Sequence, residues 1–329
     1  MTQEIKITML GASGVGKTTL LTSMYEQFEV TSRQANLQLI PDIETAAMLK
    51  KYLEQLKSLT YEFKAEERKK GIKGTLAIAG SESLPSYIFN LGRFQQKPSL
   101  RLLFRDYPGG YISPTDVPGR KFVQKLLKES AVVIIAIDTP ALMELNGRWH
   151  EARNKPDEIL TLFKTAYQKL EEPKLVILAP VKCETYMQEP ESAQKLLTRL
   201  QDKYAPLLQF FQDPIRSDKV AVVTTPVQTV GCVVFLKIEV EHLNQPRFYF
   251  RKTSFDAQYS PQDSEQLLRY MLRFLLRLHI QDRNWPMFNS LREIFNPDVE
   301  LKQAVNQFTK GCKYTGGFAV LQGQPLLNI

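Results

Sequence analysis

The chain has 329 residues, 43 of them Lys or Arg and 35 Asp or Glu, for a formal net charge of +8. Hydrophobic residues at 43% and charged residues at 24% exclude disorder, collagen and coiled coil as descriptions of the whole. The length fits about two domains, or one large α/β domain with insertions. The longest apolar run, Ala131 to Ile137, falls short of the ~20 residues of a membrane helix, so no membrane span is expected. The start, with an acid at Glu4 and no long apolar region, does not read as a signal peptide. Cys183, Cys232 and Cys312 form no CxxC pair, which points away from a disulfide framework and from zinc; a cytoplasmic location is the default. Basic residues are interspersed with acids, so a mixed solvated surface is preferred over nucleic-acid contact.

Ile5 to Leu10 alternates as a strand, and Thr18 to Phe28 follows with helical spacing of Leu20, Leu21, Met24 and Phe28. A second helical pattern runs from Thr45 to Lys70 and stops at Gly71. Strand-like pieces come next at Thr75 to Ala79, Tyr87 to Leu91 and Leu100 to Phe104. Val132 to Ile137 is apolar without interruption, as in a strand buried on both faces of a parallel sheet, and Leu175 to Leu178 and Val220 to Thr224 look alike. Helical stretches at Arg120 to Lys128, Asp157 to Leu170 and Glu191 to Gln212 lie between them. Alternating strands and helices predict a three-layer α/β/α fold around a mainly parallel sheet. Cys232 to Val240 and Arg247 to Lys252 fit an inserted antiparallel hairpin, and Ser264 to Ile280 a strong amphipathic helix. The expected organisation is one domain over 1–282, with a helical insertion at about 43–74 and a hairpin insertion at about 232–262, followed by a small appendage over 283–329.

The strongest motif is Gly11-Ala12-Ser13-Gly14-Val15-Gly16-Lys17-Thr18, a full match to G-x-x-x-x-G-K-[ST] between a strand and a helix. Glycines let such a loop curl so that main-chain N–H groups face phosphate oxygens, and the helix N-terminus adds its positive dipole. The expected phosphate cradle comprises Gly11, Ser13, Gly14, Val15, Gly16, Lys17, Thr18 and Thr19. Lys17 is expected on the β and γ phosphates and Thr18 on Mg²⁺. After the Leu100 to Phe104 strand, Asp106-Tyr107-Pro108-Gly109 places an acid where it can hold Mg²⁺ through water and a glycine N–H where it can meet the γ-phosphate. A turn at these residues is the plain alternative.

The base is expected at Val181-Lys182-Cys183-Glu184, after the Leu175 to Leu178 strand. A carboxylate accepts from both N1–H and the 2-amino group of guanine, which adenine lacks, and a lysine stem can lie along the base plane. An exposed Lys–Glu pair is the plain alternative. After the next strand, Thr225 stands where a main-chain amide could meet the guanine O6, although Pro226 has no N–H to give.

The ordered set GASGVGKT, DYPG, VKCE and TTPVQTVG resembles the Ras-like (TRAFAC-class) P-loop GTPases with their G1, G3, G4 and G5 motifs. The DYPGG, IDTPALM, PVKCE and TPVQTVG wording looks like bacterial GTPase-domain proteins related to the double-GTPase families. The resemblance covers about Ile5 to Asp282. It implies a GTP- and GDP-binding, Mg²⁺-dependent hydrolase acting as a molecular switch in a bacterial signalling or defence system, with an unidentified protein effector and a homodimer left open. By the family's pattern, Lys17, Asp106 and Gly109 take the catalytic positions, Thr18 and Asp106 the metal, and Lys182 and Glu184 the base.

Three departures stand out. Val181 and Glu184 replace the Asn or Thr and the Asp of [NT]KxD. Gly110 occupies the place of the water-orienting Gln, which implies slow unaided turnover. The long span before Asp106 holds the Thr45 to Lys70 helix and remodels the first switch, where Thr75 is the expected Mg²⁺ threonine; as a plain alternative it only opens a strand. Two further readings remain: a nucleotide-binding regulatory module with little turnover, and a P-loop ATPase, the latter disfavoured because no second carboxylate stands beside Asp106. Arg101, Arg105 and Arg120 flank the DYPG loop as weak arginine-finger candidates. Arg269, Arg273 and Arg277 recur every four residues and read as a solvated helix face sooner than as a stripe for an acidic partner. The histidines show no metal spacing.

Overall fold

The computed structural model describes residues 3–61, 85–241, 245–280, 295 and 298–328. Its centre is an eight-stranded sheet in the order β10-β7-β6-β5-β1-β4-β3-β2. The strands are β1 (Gln3–Leu10), β2 (Leu37–Pro41), β3 (Ser86–Arg93), β4 (Leu100–Asp106), β5 (Val132–Asp138), β6 (Lys174–Val181), β7 (Val220–Thr224) and β10 (Ala319–Gln322). From β7 to β4 every pairing is parallel, whereas β3 on β4, β2 on β3 and β10 on β7 are antiparallel. β5, β6 and β7 are buried at every position, as their unbroken apolar runs require of strands covered on both faces.

Helices form the outer layers. α1 (Lys17–Ser32), α9 (Gln266–Ile280) and α10 (Val299–Thr309) pack together, and α3 (Val117–Glu129), α6 (Pro156–Ala166), α8 (Ala205–Gln212) and α7 (Pro190–Lys203) touch in series. α2 (Ile43–Tyr61) lies against α1, β2 and β3, and the short α4 (Thr139–Met143) and α5 (His150–Asn154) follow β5. α3 carries Pro118 in its first turn, with the Asp116 carboxylate accepting from Gly119 N–H; α6 starts on Pro156. Both use a ring that costs no hydrogen bond in a first turn. Antiparallel β8 (Val233–Glu241) and β9 (Gln245–Lys252) form a separate two-stranded ribbon, where the hairpin insertion is expected.

Four elements differ from the sequence expectation. Glu191 to Gln212 reads as one helix but is two, because Pro206 has no N–H to give and its ring clashes with the preceding turn; Tyr204, at φ −104° and ψ 11°, makes the break. β2 is short, and its alternation is cut off by Pro41, so it left no clear signal. The tail over 283–329 supplies β10, the eighth strand of the main sheet, and buries Leu326 and Leu327. The arginines of α9 are neither a solvated face nor a free basic stripe. Arg269 donates to the Phe308 carbonyl, Arg273 to that of Leu327, and Arg277 to that of Pro325 at 2.9 Å, so all three fasten the C-terminal segment. The expected strand from Thr75 to Ala79 and the end of the Thr45 to Lys70 helix lie outside the described residues.

Because Leu327 is 1% exposed, Leu327→Ala is expected to lower the unfolding free energy by about 2–4 kcal/mol in urea titration. A loss below about 0.5 kcal/mol, the range of ordinary surface changes, would show that this segment lies outside the core.

Candidate functional site

Since β1, β4, β6 and β7 run parallel, their carboxyl ends share one edge of the sheet, where α/β proteins place ligands. The loops after these strands carry residues 11–16, 107–112, 182–189 and 225–232, so segments far apart in sequence converge there.

The loop after β1 turns through positive φ at Gly14 (76°) and Gly16 (122°), a region that side chains disfavour. Gly16 is the N-cap of α1, and the first turn of that helix carries neither a side-chain cap nor an acidic residue. Its first amides and the positive end of its dipole therefore favour an anion at this end of the helix. Lys17 is 7% exposed; its ammonium donates to the carbonyls of Gly11 (2.9 Å) and Ala12 (3.4 Å) and stands 5.7 Å from the centre of the Tyr107 ring. Burial lowers its pKa, against the opposing pull of Asp106. Such a cation gains from an incoming phosphate.

Thr18 Oγ1 donates to Asp106 Oδ2 at 3.2 Å, and Asp106 is 1% exposed at the end of β4. A hydroxyl and a carboxylate oxygen side by side at the phosphate hollow form a hard-oxygen donor pair, which fits Mg²⁺. Gly109 is packed on the phosphate loop so closely that a Cβ there would stand 2.1 Å from Ser13 N. The neighbour is backbone, so glycine is the residue this approach permits. Tyr107 is fully buried, its pKa raised well above the ordinary value by burial and by Asp106, and it stacks on Tyr111.

Lys182 reaches from the loop after β6 across to the first loop. It adopts φ 57°, and its ammonium donates to Asp138 Oδ2 at 2.6 Å and to Gly14 O at 3.2 Å. Val181 brings its Cγ2 to 3.6 Å from where a Cβ on Gly16 would stand, so an apolar group faces the loop at this position. Glu184 is 4% exposed, and its Oε1 accepts from the N–H groups of Val230 (3.0 Å) and Gly231 (3.2 Å). Burial raises its pKa, while those two bonds and Lys182 oppose the rise. Next to it, Thr185 Oγ1 accepts from Phe235 N–H at 2.8 Å, so the same loop holds the root of the β8–β9 ribbon.

The sheet edge thus gathers the residues 11–19, Asp106, Gly109, Lys182 and Glu184. Thr225 is different: it is fully buried, and its N–H is given to Leu178 O at 2.9 Å, so that amide is already taken by the sheet. Thr75 lies outside the described residues. Arg105 donates to Ser86 Oγ (2.9 Å), Arg120 to Ile112 O (3.0 Å), and Arg101 pairs with Glu4, so each has a partner in the frame. Asp138, within the IDTPALM wording quoted for the resemblance, is a residue to which the sequence reading gave no role. The one signal was its place, at the end of an unbroken apolar strand just before Thr139-Pro140.

No family model matches the chain, and no curated protein matches it. Solved structures that overlay on it include the S. cerevisiae Ski7 GTPase-like domain bound to GTP, at 14% identity, 68% of this chain and TM-score 0.38. The SRb-GTP/SRX complex of Chaetomium thermophilum overlays at 17% identity, on 70% of this chain and 93% of that chain, with TM-score 0.38. The cytosolic domain of the T. maritima FeoB iron transporter overlays at 12% identity, on 97% of this chain and 100% of that chain, with TM-score 0.28. The chain spans 43% of the Ski7 structure. Overlays this loose decide nothing; what the structure itself shows is a mainly parallel sheet between helical layers, with the glycine-rich loop after β1 leading into the uncapped start of α1. No helix of the described residues is long and apolar enough to cross a membrane.

Gly109→Ala would force residues 109–111 off the phosphate loop. Its unfolding midpoint in urea is expected to fall, equivalent to a loss of about 2 kcal/mol or more. Wild-type stability would contradict the close approach.

Proposed function

We propose that this chain binds guanine nucleotides with Mg²⁺ and works as a slow or partner-dependent GTPase switch. The observation that carries the reading is the joint placement of Lys17, Thr18, Asp106 and Lys182 around the open N-terminus of α1. The α1 amides and Lys17 hold the phosphates. Thr18 and Asp106 would hold Mg²⁺, which neutralises charge on the β and γ oxygens when bound. Glu184 keeps acceptor capacity beyond the two bonds on Oε1, since a carboxylate offers about four lone-pair sites, and it accepts from the guanine N1–H and 2-amino group. Gly109 N–H, on the loop that leans against Ser13, would report the γ-phosphate.

Gly110 favours the slow form of this reading. It offers no side chain to orient a water, so hydrolysis depends on a group from elsewhere, and a regulatory module with little turnover is the second reading. The bacterial signalling or defence setting, the effector and any homodimer belong to the proposal through the sequence resemblance alone.

Competition against a fluorescent guanine nucleotide tests the reading. GTP and GDP are expected to bind at least about tenfold more tightly than ATP, and inosine triphosphate, which lacks the 2-amino group, to fall between. Lys17→Ala is expected to abolish binding. Glu184→Ala should bring the GTP and ATP affinities together. Tighter ATP binding in the wild type would reverse the base assignment, and unchanged selectivity in Glu184→Ala would leave Glu184 a tether for residues 230–231. Single-turnover hydrolysis is expected to be slow; fast unaided turnover would contradict the role given to Gly110.

A further inference from the structure

Resting on the nucleotide reading above, we propose that Asp138 is the positioning residue of the base pocket: it fixes the Lys182 ammonium between its own carboxylate and the Gly14 carbonyl, so that the lysine stem stands ready as the floor for a purine. Three observations converge on it. The pairing of β5 with β6 sets Asp138 opposite Val181, one residue before Lys182, so the ion pair follows from sheet register. Its N–O distance is 2.6 Å, with Asp138 at 4% and Lys182 at 27% side-chain exposure. Asp138 is itself immobilised. Its Oδ1 accepts from Ala141 N–H at 3.1 Å and caps α4. The amide of Asn154 brackets its main chain, accepting from Asp138 N–H at 2.7 Å and donating to Asp138 O at 3.1 Å. Asn154 in turn meets His150 Nδ1 at 3.0 Å, and both are buried.

A frame of this kind does more than bury a charge. A lysine side chain carries roughly 2 kcal/mol of rotamer entropy, which a base stacking on a free stem would have to overcome. Lys182 also sits at φ 57°, a conformation that a non-glycine residue keeps only when its surroundings hold it there. The Asp138 carboxylate and the Gly14 carbonyl fix the ammonium before any ligand arrives, which is preorganisation. The Lys182–Gly14 bond spans from the base-side loop to the phosphate loop, which places the stem beside the phosphates without itself touching them.

The test compares Mg·GDP with inorganic tripolyphosphate, which has phosphates but no base, each competing against fluorescent GDP. Asp138→Asn keeps an N-cap oxygen and nearly the same shape while removing the charge. In this variant Mg·GDP is expected to bind about tenfold more weakly or worse, tripolyphosphate within about twofold of wild type, and the nucleotide-free thermal midpoint to stay close to wild type. Lys182→Met, which keeps an unbranched stem without the ammonium, should show the same selective loss and carries the test should Asp138→Asn not fold. The double variant should be no weaker than the worse single. Unchanged GDP binding, equal losses for GDP and tripolyphosphate, or additive losses in the double variant would overturn the proposal. A wild-type chain that binds neither ligand would remove the nucleotide reading itself, and the positioning role with it.

Discussion

The structure turns on an uncapped helix end held against a parallel sheet edge. α1 begins at Gly16 with no side chain satisfying its first amides and no acid in its first turn. Such first-turn amides make their best contacts with an anion. The nearby chemistry has the same character. Lys17 is buried, with its ammonium on the carbonyls of Gly11 and Ala12. Glu184 is buried against main-chain amides. The nucleotide reading proposed above accounts for these costs together.

The scaffold around it is rigid and apolar. β5, β6 and β7 are fully buried, and the last residues close the sheet through β10 while the α9 arginines hold the C-terminal carbonyls. The mouth of the site is made of loops joined by side chains: Lys182 to Gly14 and Asp138, Glu184 to residues 230–231, Thr185 to Phe235. A change at the base-side loop therefore reaches both the phosphate loop and the β8–β9 ribbon through direct bonds. This is a physical connection by which nucleotide state could be passed outward.

Much of this was legible in the residues. The GASGVGKT run fixes backbone shape as well as chemistry, so its place between β1 and α1 followed directly. The apolar runs at Val132 and Leu175 announced buried parallel strands. The less legible parts were set by tertiary contacts. β10 is four residues with no alternation of its own, and it exists because β7 offers an edge. The α9 arginines look like any solvated face until the tail comes back over them. Thr225 carried a plausible spacing, but register gave its amide to Leu178. Asp138 stood inside the IDTPALM wording but was given no role there; its meaning comes from Lys182, 44 residues later and one strand over.

The central claim is that the amides of residues 13–18 enclose the phosphates of a purine nucleotide. A crystal structure grown with GDP and magnesium tests it most directly. The account predicts both phosphates inside that loop, Lys17 turned onto them, and the base lying over the Lys182 stem with its polar edge toward Glu184. An empty loop, or a nucleotide seated anywhere else on the chain, would contradict it.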